Sequence, residues 1–471
     1  MRILVFSSIT FLFMFLPLAL IAYYVAPKLW RNAVILVLSL FFYAWGEPVY
    51  VFLMIGSIVL DYFGGVLIQH NRKDKNKQRF IFVTVLVLNL SVLVFFKYYG
   101  FIIANINSVL GTTLQIRELP LPLGISFYTF QLISYIADVY MGKVKAQKNI
   151  INFGAYISMF PQLVAGPIVQ YSDVEQQLMN REESIYKFGE GAERFICGLG
   201  KKVLLANNLG LIWREIKVIP TNELSIVTAW VGIIAFTLQI YFDFSGYSDM
   251  AIGLGKIMGF EFLENFKHPY MSRSISEFWR RWHISLGSWF RDYIYIQLGG
   301  NRRGLIIQLR NLIIVWFATG LWHGASWNFI VWGLYFGALI FLEKLFLGKI
   351  LDKAPAIIAH GYTLILVIVS WVFFEAVTVG GAFDYIGVMF GFGGNTVIDG
   401  MARYTVRTNF IVLAIAIVAA TPFIRSLINK LKTKYDFNGI VAVVLCNITI
   451  LFIATAYLVS ESYNPFLYFR F

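Results

Sequence analysis

Apolar runs long enough to cross a lipid bilayer recur along this chain, and they restrict its fold more than any other feature. A membrane helix needs ~20 mostly apolar residues to span a ~30 Å hydrocarbon core. The clearest runs are 3–25, 31–46, 48–69, 80–105, 225–242, 328–347, 356–377, 408–428 and 438–459. Less clean stretches lie at 121–140, 150–170, 195–213 and 308–322, where Gly, Pro, Gln and Asp interrupt the pattern. Re-entrant segments among them are tolerated only where their backbone is buried in protein or lines a cavity. Composition agrees. Of 471 residues, 58% are hydrophobic and 14% charged, against ~45–50% and ~25% in a soluble domain. That leaves too little polar surface to coat the two or three soluble domains that length alone suggests. An aromatic content of 17% excludes a disordered chain. The expectation is an all-α polytopic membrane protein with about eleven transmembrane helices, plus re-entrant or interfacial ones.

The net charge of +13 does not imply nucleic acid, because basic loops mark the cytoplasmic side of a membrane protein. Placing Arg72–Arg79 inside sends helix 48–69 inward and puts Lys28 and Arg31 inside too. The N-terminus then lies outside. Lys430–Lys434 inside sends helix 438–459 outward, so the tail 461–471 is also extracytoplasmic, and two outer ends require an odd number of crossings. Residues 3–25 are too long for a signal peptide and lack its small-residue exit, so they read as a retained first helix. No repeat or linker breaks the chain, which reads as one domain over 1–471. The long polar stretch is 172–202, whose second half has the pattern of an amphipathic interfacial helix.

Ionisable groups at membrane depth are costly and are functional candidates for that reason. Asp61, Gln131, Asp138, Gln239, Asp243, Ser245, Tyr247 and Asp249 fall in apolar segments. Interhelical hydrogen bonding is their ordinary explanation. His323 is the exception. It is an imidazole between two apolar runs, beside Trp322, Gly324, Trp327 and Asn328, with small neighbours (Gly320, Gly324, Ala325) that leave room for a ligand or a close backbone. The stretch 265–303 is dense in Arg, Trp and Tyr. On one helix, Trp279 and His283 would share a face, flanked by Arg280 and Arg281, either as an interfacial basic-aromatic belt or as a basic pocket for an anionic cofactor. His70, His268 and His360 read as solvated, turn and interfacial residues. Cys197 and Cys446 exclude a disulfide framework. No H-E-x-x-H or C-x-x-C spacing occurs, so no metal is expected. The absence of a Walker loop and of G-x-S-x-G removes support for ATP-driven pumping and serine hydrolysis.

SISEFWRRWHISLGSWFRDYIYIQLGGNRRG followed by GLWHGASWNFIVWGLYFG resembles the membrane-bound O-acyltransferase (MBOAT) family. LPLGISFYTFQLISYIADVY, FPQLVAGPIVQY and DFSGYSDMAIGLGKIMGFEFLENF carry the same resemblance. The similarity is to its bacterial branch of alginate and peptidoglycan O-acetylation proteins and the teichoic acid D-alanyl transfer protein. The resemblance implies an MBOAT-type rosette of helices around a central tunnel, in a bacterial plasma membrane. Its near-invariant histidine falls on His323 and its second recurrent polar position on His283. Asp243, Asp249, Trp279, Arg280, Arg281 and Asn328 become candidates for the tunnel wall or donor site. No cofactor is held; the donor is a thioester such as acetyl-CoA.

A thioester is already activated, so the enzyme must supply a base, a positioned carbonyl and exclusion of water. Imidazole suits the base, and His323 takes that role. Donor binding, orientation of the base and oxyanion stabilisation remain open to His283. The chain ends F-x-Y-x-x-F, which resembles the motif of small proteins accompanying D-alanyl transfer and makes Tyr468 a candidate acyl relay; anchoring at the interface is the alternative. The resemblance further implies an extracytoplasmic SGNH-hydrolase-like partner and a polysaccharide acceptor. O-acetylation of a cell-surface polysaccharide or peptidoglycan is the expectation, with D-alanyl transfer to teichoic acid as the alternative. A transporter or flippase is the reading from another class, and the missing inverted repeat counts against it.

Overall fold

The apolar runs fold as helices, and no strand occurs among the described residues. The computed structural model describes residues 4–117, 119–164, 166–460, 463–465 and 467. Ten helices are long and apolar enough to cross a membrane. They are Lys28–Gly46, Tyr50–His70, Lys75–Leu110, Ile185–Ile216, Ile226–Ile257, Leu305–His323, Trp327–Lys353, Ala356–Glu375, Gly400–Ala419 and Phe423–Ser460. Phe11–Val25 and Val379–Met389 are shorter apolar helices.

Local chemistry explains where these bounds differ from the apolar runs. The run 3–25 is cut at Ser8, whose hydroxyl donates to the Val5 carbonyl and accepts from the Phe11 N–H at 3.2 Å. The run 408–428 moves to Gly400–Ala419, because the Asp399 carboxylate caps it through the Ala402 N–H at 2.7 Å and Pro422 disfavours helix at the residue before it. Phe423–Ser460 is broken at Asp436, which has φ +39°, so its second half coincides with the run 438–459. The amphipathic stretch after residue 185 does not form a separate interfacial element. It is the first part of Ile185–Ile216, which continues past Lys201 and Lys202 because the buried Lys202 has an acidic partner. Residues 308–322 lie within a regular helix, whereas 150–170 yields only Ile150–Ser158 and Phe160–Leu163 before a loop.

The chain divides into two compact units, residues 1–195 with 247–263, and residues 196–246 with 264–471. In the first, Ile125–Met141 is buried on every face from Ile125 to Val139 and packs on Tyr50–His70 and Lys75–Leu110. A methyl on Gly65 would stand 2.7 Å from the Tyr135 hydroxyl, so only glycine lets that ring lie against the helix. The buried Asp61 carboxylate accepts from Asn89 Nδ2 at 2.9 and 3.1 Å. Asp138 faces Lys143 at 3.3 Å.

In the second unit, Leu305–His323 and Trp327–Lys353 form a tight hairpin. Ser326 Oγ caps the returning helix at the Asn328 N–H. A Cβ on Gly320 would overlap the Phe329 carbonyl oxygen, and one on Gly333 would overlap that of Trp316. Small residues of this kind let helix backbones touch. Glu343 ties the hairpin to Ile275–Arg281, accepting the Ile275 and Ser276 N–H groups at 2.7 and 2.9 Å.

Alanine at position 333 gains ~1 kcal/mol of helix propensity over glycine but meets backbone that no rotamer change can move. Overpacking of this kind costs ~1–3 kcal/mol, so packing outweighs propensity. We expect Gly333→Ala to lower the unfolding temperature in detergent. Gly361→Ala, with nothing within 4 Å of the new methyl, should leave it unchanged or raise it. Equal behaviour of the two variants would refute the backbone contact.

Candidate active site

His323 is the last residue of Leu305–His323, at the turn of the hairpin, and is 2% exposed. Aromatic edges surround it. Its ring centroid lies 4.8 Å from Trp332, 5.0 Å from Trp322 and 5.4 Å from Phe374, all near-perpendicular. Trp322 is thus its chain neighbour, while Trp332 and Phe374 come from the two following helices.

His283 is brought to the same indole, with its ring 5.8 Å from Trp322 and 1% exposed. It does not share a helix face with Trp279. Ile275–Arg281 ends before an extended Trp282, and His283 itself has φ +44°. The left-handed residue starts a new helix, Ile284–Phe290, and turns the imidazole toward Phe244 at 4.6 Å. Trp279 points instead at Trp316, Phe336 and Trp332, with centroids 4.8, 4.9 and 5.7 Å away. Trp279 and the two imidazoles therefore meet in one aromatic cluster through Trp332 and Trp322, by a route that helical periodicity did not supply.

Asn265 fixes His283. Its Oδ1 accepts from the Ser285 N–H at 3.1 Å and the Ser285 hydroxyl at 3.0 Å, and His283 Nδ1 lies 3.3 Å from the same oxygen. The main-chain donor identifies the amide atom as oxygen, so Nδ1 carries the imidazole proton and Nε2 the lone pair. The Ile284 N–H donates to the Asn265 carbonyl at 3.0 Å. Asn265 was missed from the sequence, where only its place at the head of the aromatic-basic stretch marks it. His283 lies outside the ten membrane-length helices, and burial lowers its pKa from 6.5 to about 3. It is a neutral imidazole at physiological pH.

The other candidates scatter. Asp243 forms a buried pair with Lys202 at 2.6 Å. Asp249, in the other unit, pairs with Arg194 at 2.8 Å. Asn328 is buried, and its Nδ2 donates to the Ala376 carbonyl, joining the start of Trp327–Lys353 to the end of Ala356–Glu375. Arg281 pairs with Glu277 at 2.6 Å. Arg280 is exposed on a cavity of about 340 Å³ bordered by Arg273, Glu277, Glu343, Lys344 and Asp352. That cavity carries both signs of charge and is not a purely basic pocket. Tyr468 lies outside the described residues. Among the described residues no group of three His, Cys, Asp or Glu side chains is disposed to hold a metal ion.

The cluster holds two buried imidazoles among aromatic rings. The indole N–H groups of Trp279, Trp332 and Trp371 are buried without an acceptor among the described residues. A buried unmade donor costs ~1–3 kcal/mol, and a carbonyl oxygen in the cluster would relieve it.

The MBOAT, membrane-bound O-acyltransferase family profile matches residues 143–376, which include both histidines. A probable alginate O-acetylase AlgI of Pseudomonas syringae pv. tomato is 43% identical over 83% of this chain and 76% of its own length. That of Pseudomonas putida is 39% identical over 99% of this chain and all of its own. A peptidoglycan O-acetyltransferase of Helicobacter pylori is 34% identical over 83% of this chain and 81% of its own length.

The neutrality of His283 has a pH signature. The unfolded chain takes up a proton near pH 6.5 that the folded protein refuses until about pH 3. Stability therefore falls below pH 6.5, by up to ~1.4 kcal/mol per pH unit from this residue. We expect the unfolding temperature of the wild type to drop more between pH 7 and pH 5 than that of His283→Gln. Parallel pH profiles would mean that His283 is not held neutral.

Proposed function

The chain belongs to the membrane-bound O-acyltransferase family, and on that premise we propose that it moves an acetyl group from cytoplasmic acetyl-CoA to hydroxyls of a cell-surface polysaccharide or peptidoglycan. The names of its relatives support acetyl as the group and glycans as the acceptor class. The observation that carries the reading is the pair of buried imidazoles that both pack edge-on against Trp322, within a wall of aromatic rings.

Such a wall suits acyl transfer. It keeps water from competing with the acceptor for the thioester. His323 accepts the proton of the attacking hydroxyl as its oxygen bonds to the thioester carbonyl carbon. The negative charge that develops on the carbonyl oxygen is stabilised by nearby N–H donors. The carbon–sulfur bond then breaks, and the coenzyme leaves as a thiol on regaining the proton from the imidazolium. His283, neutral and fixed by Asn265, serves as a positioned acceptor. The protein sits in a bacterial plasma membrane with both ends outside. There the acetyl group passes to an SGNH-hydrolase-like partner.

The deciding experiment compares acetyl esters on cell-surface glycans, by mass spectrometry, between wild type and His323→Ala at matched membrane expression. Loss of a general base costs ~10²–10⁴-fold in rate, so acetyl ester on one glycan should disappear. Loss of D-alanyl ester instead would move the acceptor to teichoic acid. Unchanged esters would sink the transferase assignment of His323 and reopen the transport reading.

Tyr468 is proposed as the relay. Its phenol oxygen displaces the coenzyme thiol, with His323 removing the proton, and the resulting aryl ester then passes its acetyl group to the next hydroxyl. Tyr468→Phe keeps the ring and deletes the nucleophile. Glycan acetylation should fall to background while membrane levels hold; wild-type acetylation in this variant would leave the tail as an anchor.

A further inference from the structure

We propose that the buried Lys202–Asp243 pair is a latch that holds the end of the chain inside the unit containing the histidines, and that this grip positions the terminal segment for acyl transfer. The activity part of this inference rests on the function proposed above. The grip itself does not.

Lys202 and Asp243 are 3% and 2% exposed, and Lys202 Nζ lies 2.6 Å from Asp243 Oδ1. Burying such a pair costs several kcal/mol per ion unless further hydrogen bonds repay the lost water. Here those bonds come from the chain terminus. Lys202 Nζ donates to the Pro465 carbonyl and, at 3.0 Å, to Asn207 Oδ1. Asp243 Oδ2 accepts the Leu467 N–H at 2.8 Å. One acceptor and one donor of the tail backbone, two residues apart, are thus matched to a cation and an anion. Irregular backbone among apolar helices must find polar partners, and this pair provides them.

Side chains reinforce the grip. Asn207 Nδ2 donates to Asn464 Oδ1 at 3.2 Å. The Arg214 guanidinium lies 4.5 Å from the centre of the Tyr463 ring, whose hydroxyl donates to the Gly210 carbonyl at 3.4 Å. Leu467 is 5% exposed and belongs to the apolar core that contains Trp282, Trp332 and Phe374. The next residue after Asp243, Phe244, packs edge-on against His283. One turn of Ile226–Ile257 therefore supports both the tail and an imidazole. The charged pair itself acts on main-chain atoms, so its own hold does not depend on the identity of the gripped side chains. That suits a positioning role and assigns Lys202 and Asp243 as positioning residues.

The test uses the full-length protein in membranes, with Cys197 and Cys446 replaced by alanine and Leu467→Cys as a reporter. Maleimide labelling of the introduced thiol is followed with the charged pair intact and in Lys202→Met/Asp243→Leu, where apolar replacement of a whole buried pair is commonly tolerated. We expect labelling to rise at least about tenfold on local release of the tail. In the same pair variant carrying native Leu467, glycan acetylation should fall at least about tenfold, the scale on which misplacement of a reacting group acts. Unchanged labelling overturns the latch. Raised labelling with full acetylation overturns the positioning role. Should the double variant fail to accumulate, Leu467→Pro and Leu467→Ala decide. Both lose the side chain and keep the charged pair, but only proline lacks the N–H. Acetylation at least about tenfold lower in Leu467→Pro is expected, and equal acetylation refutes the grip. If the wild type acetylates nothing, the functional reading fails while the labelling still reports on the latch.

Discussion

The hairpin that carries His323 depends on two glycines whose helices touch backbone to backbone. In water the hydrophobic effect would press such helices together whatever their surface relief. In lipid that force is weak between helices, and van der Waals fit decides which helices associate. The contact of Gly320 with the Phe329 carbonyl, and of Gly333 with that of Trp316, sets how closely the hairpin arms approach. The imidazole at the turn inherits that precision. Trp332 reaches His323 from one arm, and Phe374 reaches it from the helix packed beside it.

Polar groups in this fold fall into two classes. Some are matched within the packing and serve as joints. Asp61 meets Asn89, Glu343 meets the start of Ile275–Arg281, and Asn328 meets the end of Ala356–Glu375. Each replaces water for a main-chain or amide group and thereby fixes the register of two elements. The Lys202–Asp243 pair differs, because it also bonds main-chain groups of Pro465 and Leu467, which lie beyond the last helix, Phe423–Ser460. The chemical types of these residues did not separate the classes; their partners did.

Hydrophobic length located most of the helices, because a bilayer imposes it on any chain that spans it. His323 was legible for a related reason: an ionisable ring between apolar runs has few structural uses. Three things were hidden. The break between Arg281 and Ile284 leaves no proline in the sequence, and it depends on Asn265 bonding across the turn to Ser285 and His283. The close contact at Gly333 had no signal in the sequence, whereas Gly320 read as room for a ligand or a close backbone, and the structure shows the backbone. Asp243 read as a wall residue because its partners, a lysine on a preceding helix and the chain terminus, come together only through folding. Local periodicity holds no record of such distant pairings.

The tautomer of His283 narrows the three roles its sequence left open. An oxyanion needs a donor, but the one N–H of the neutral ring is directed to Asn265. Binding the phosphates of a coenzyme calls for a cation, and burial keeps this ring uncharged down to about pH 3. In this tautomer Nε2 is an acceptor, and an acceptor on a fixed ring sets the direction of its donor. Both imidazoles pack edge-on against Trp322. Of the three roles, orientation is the one this environment fits.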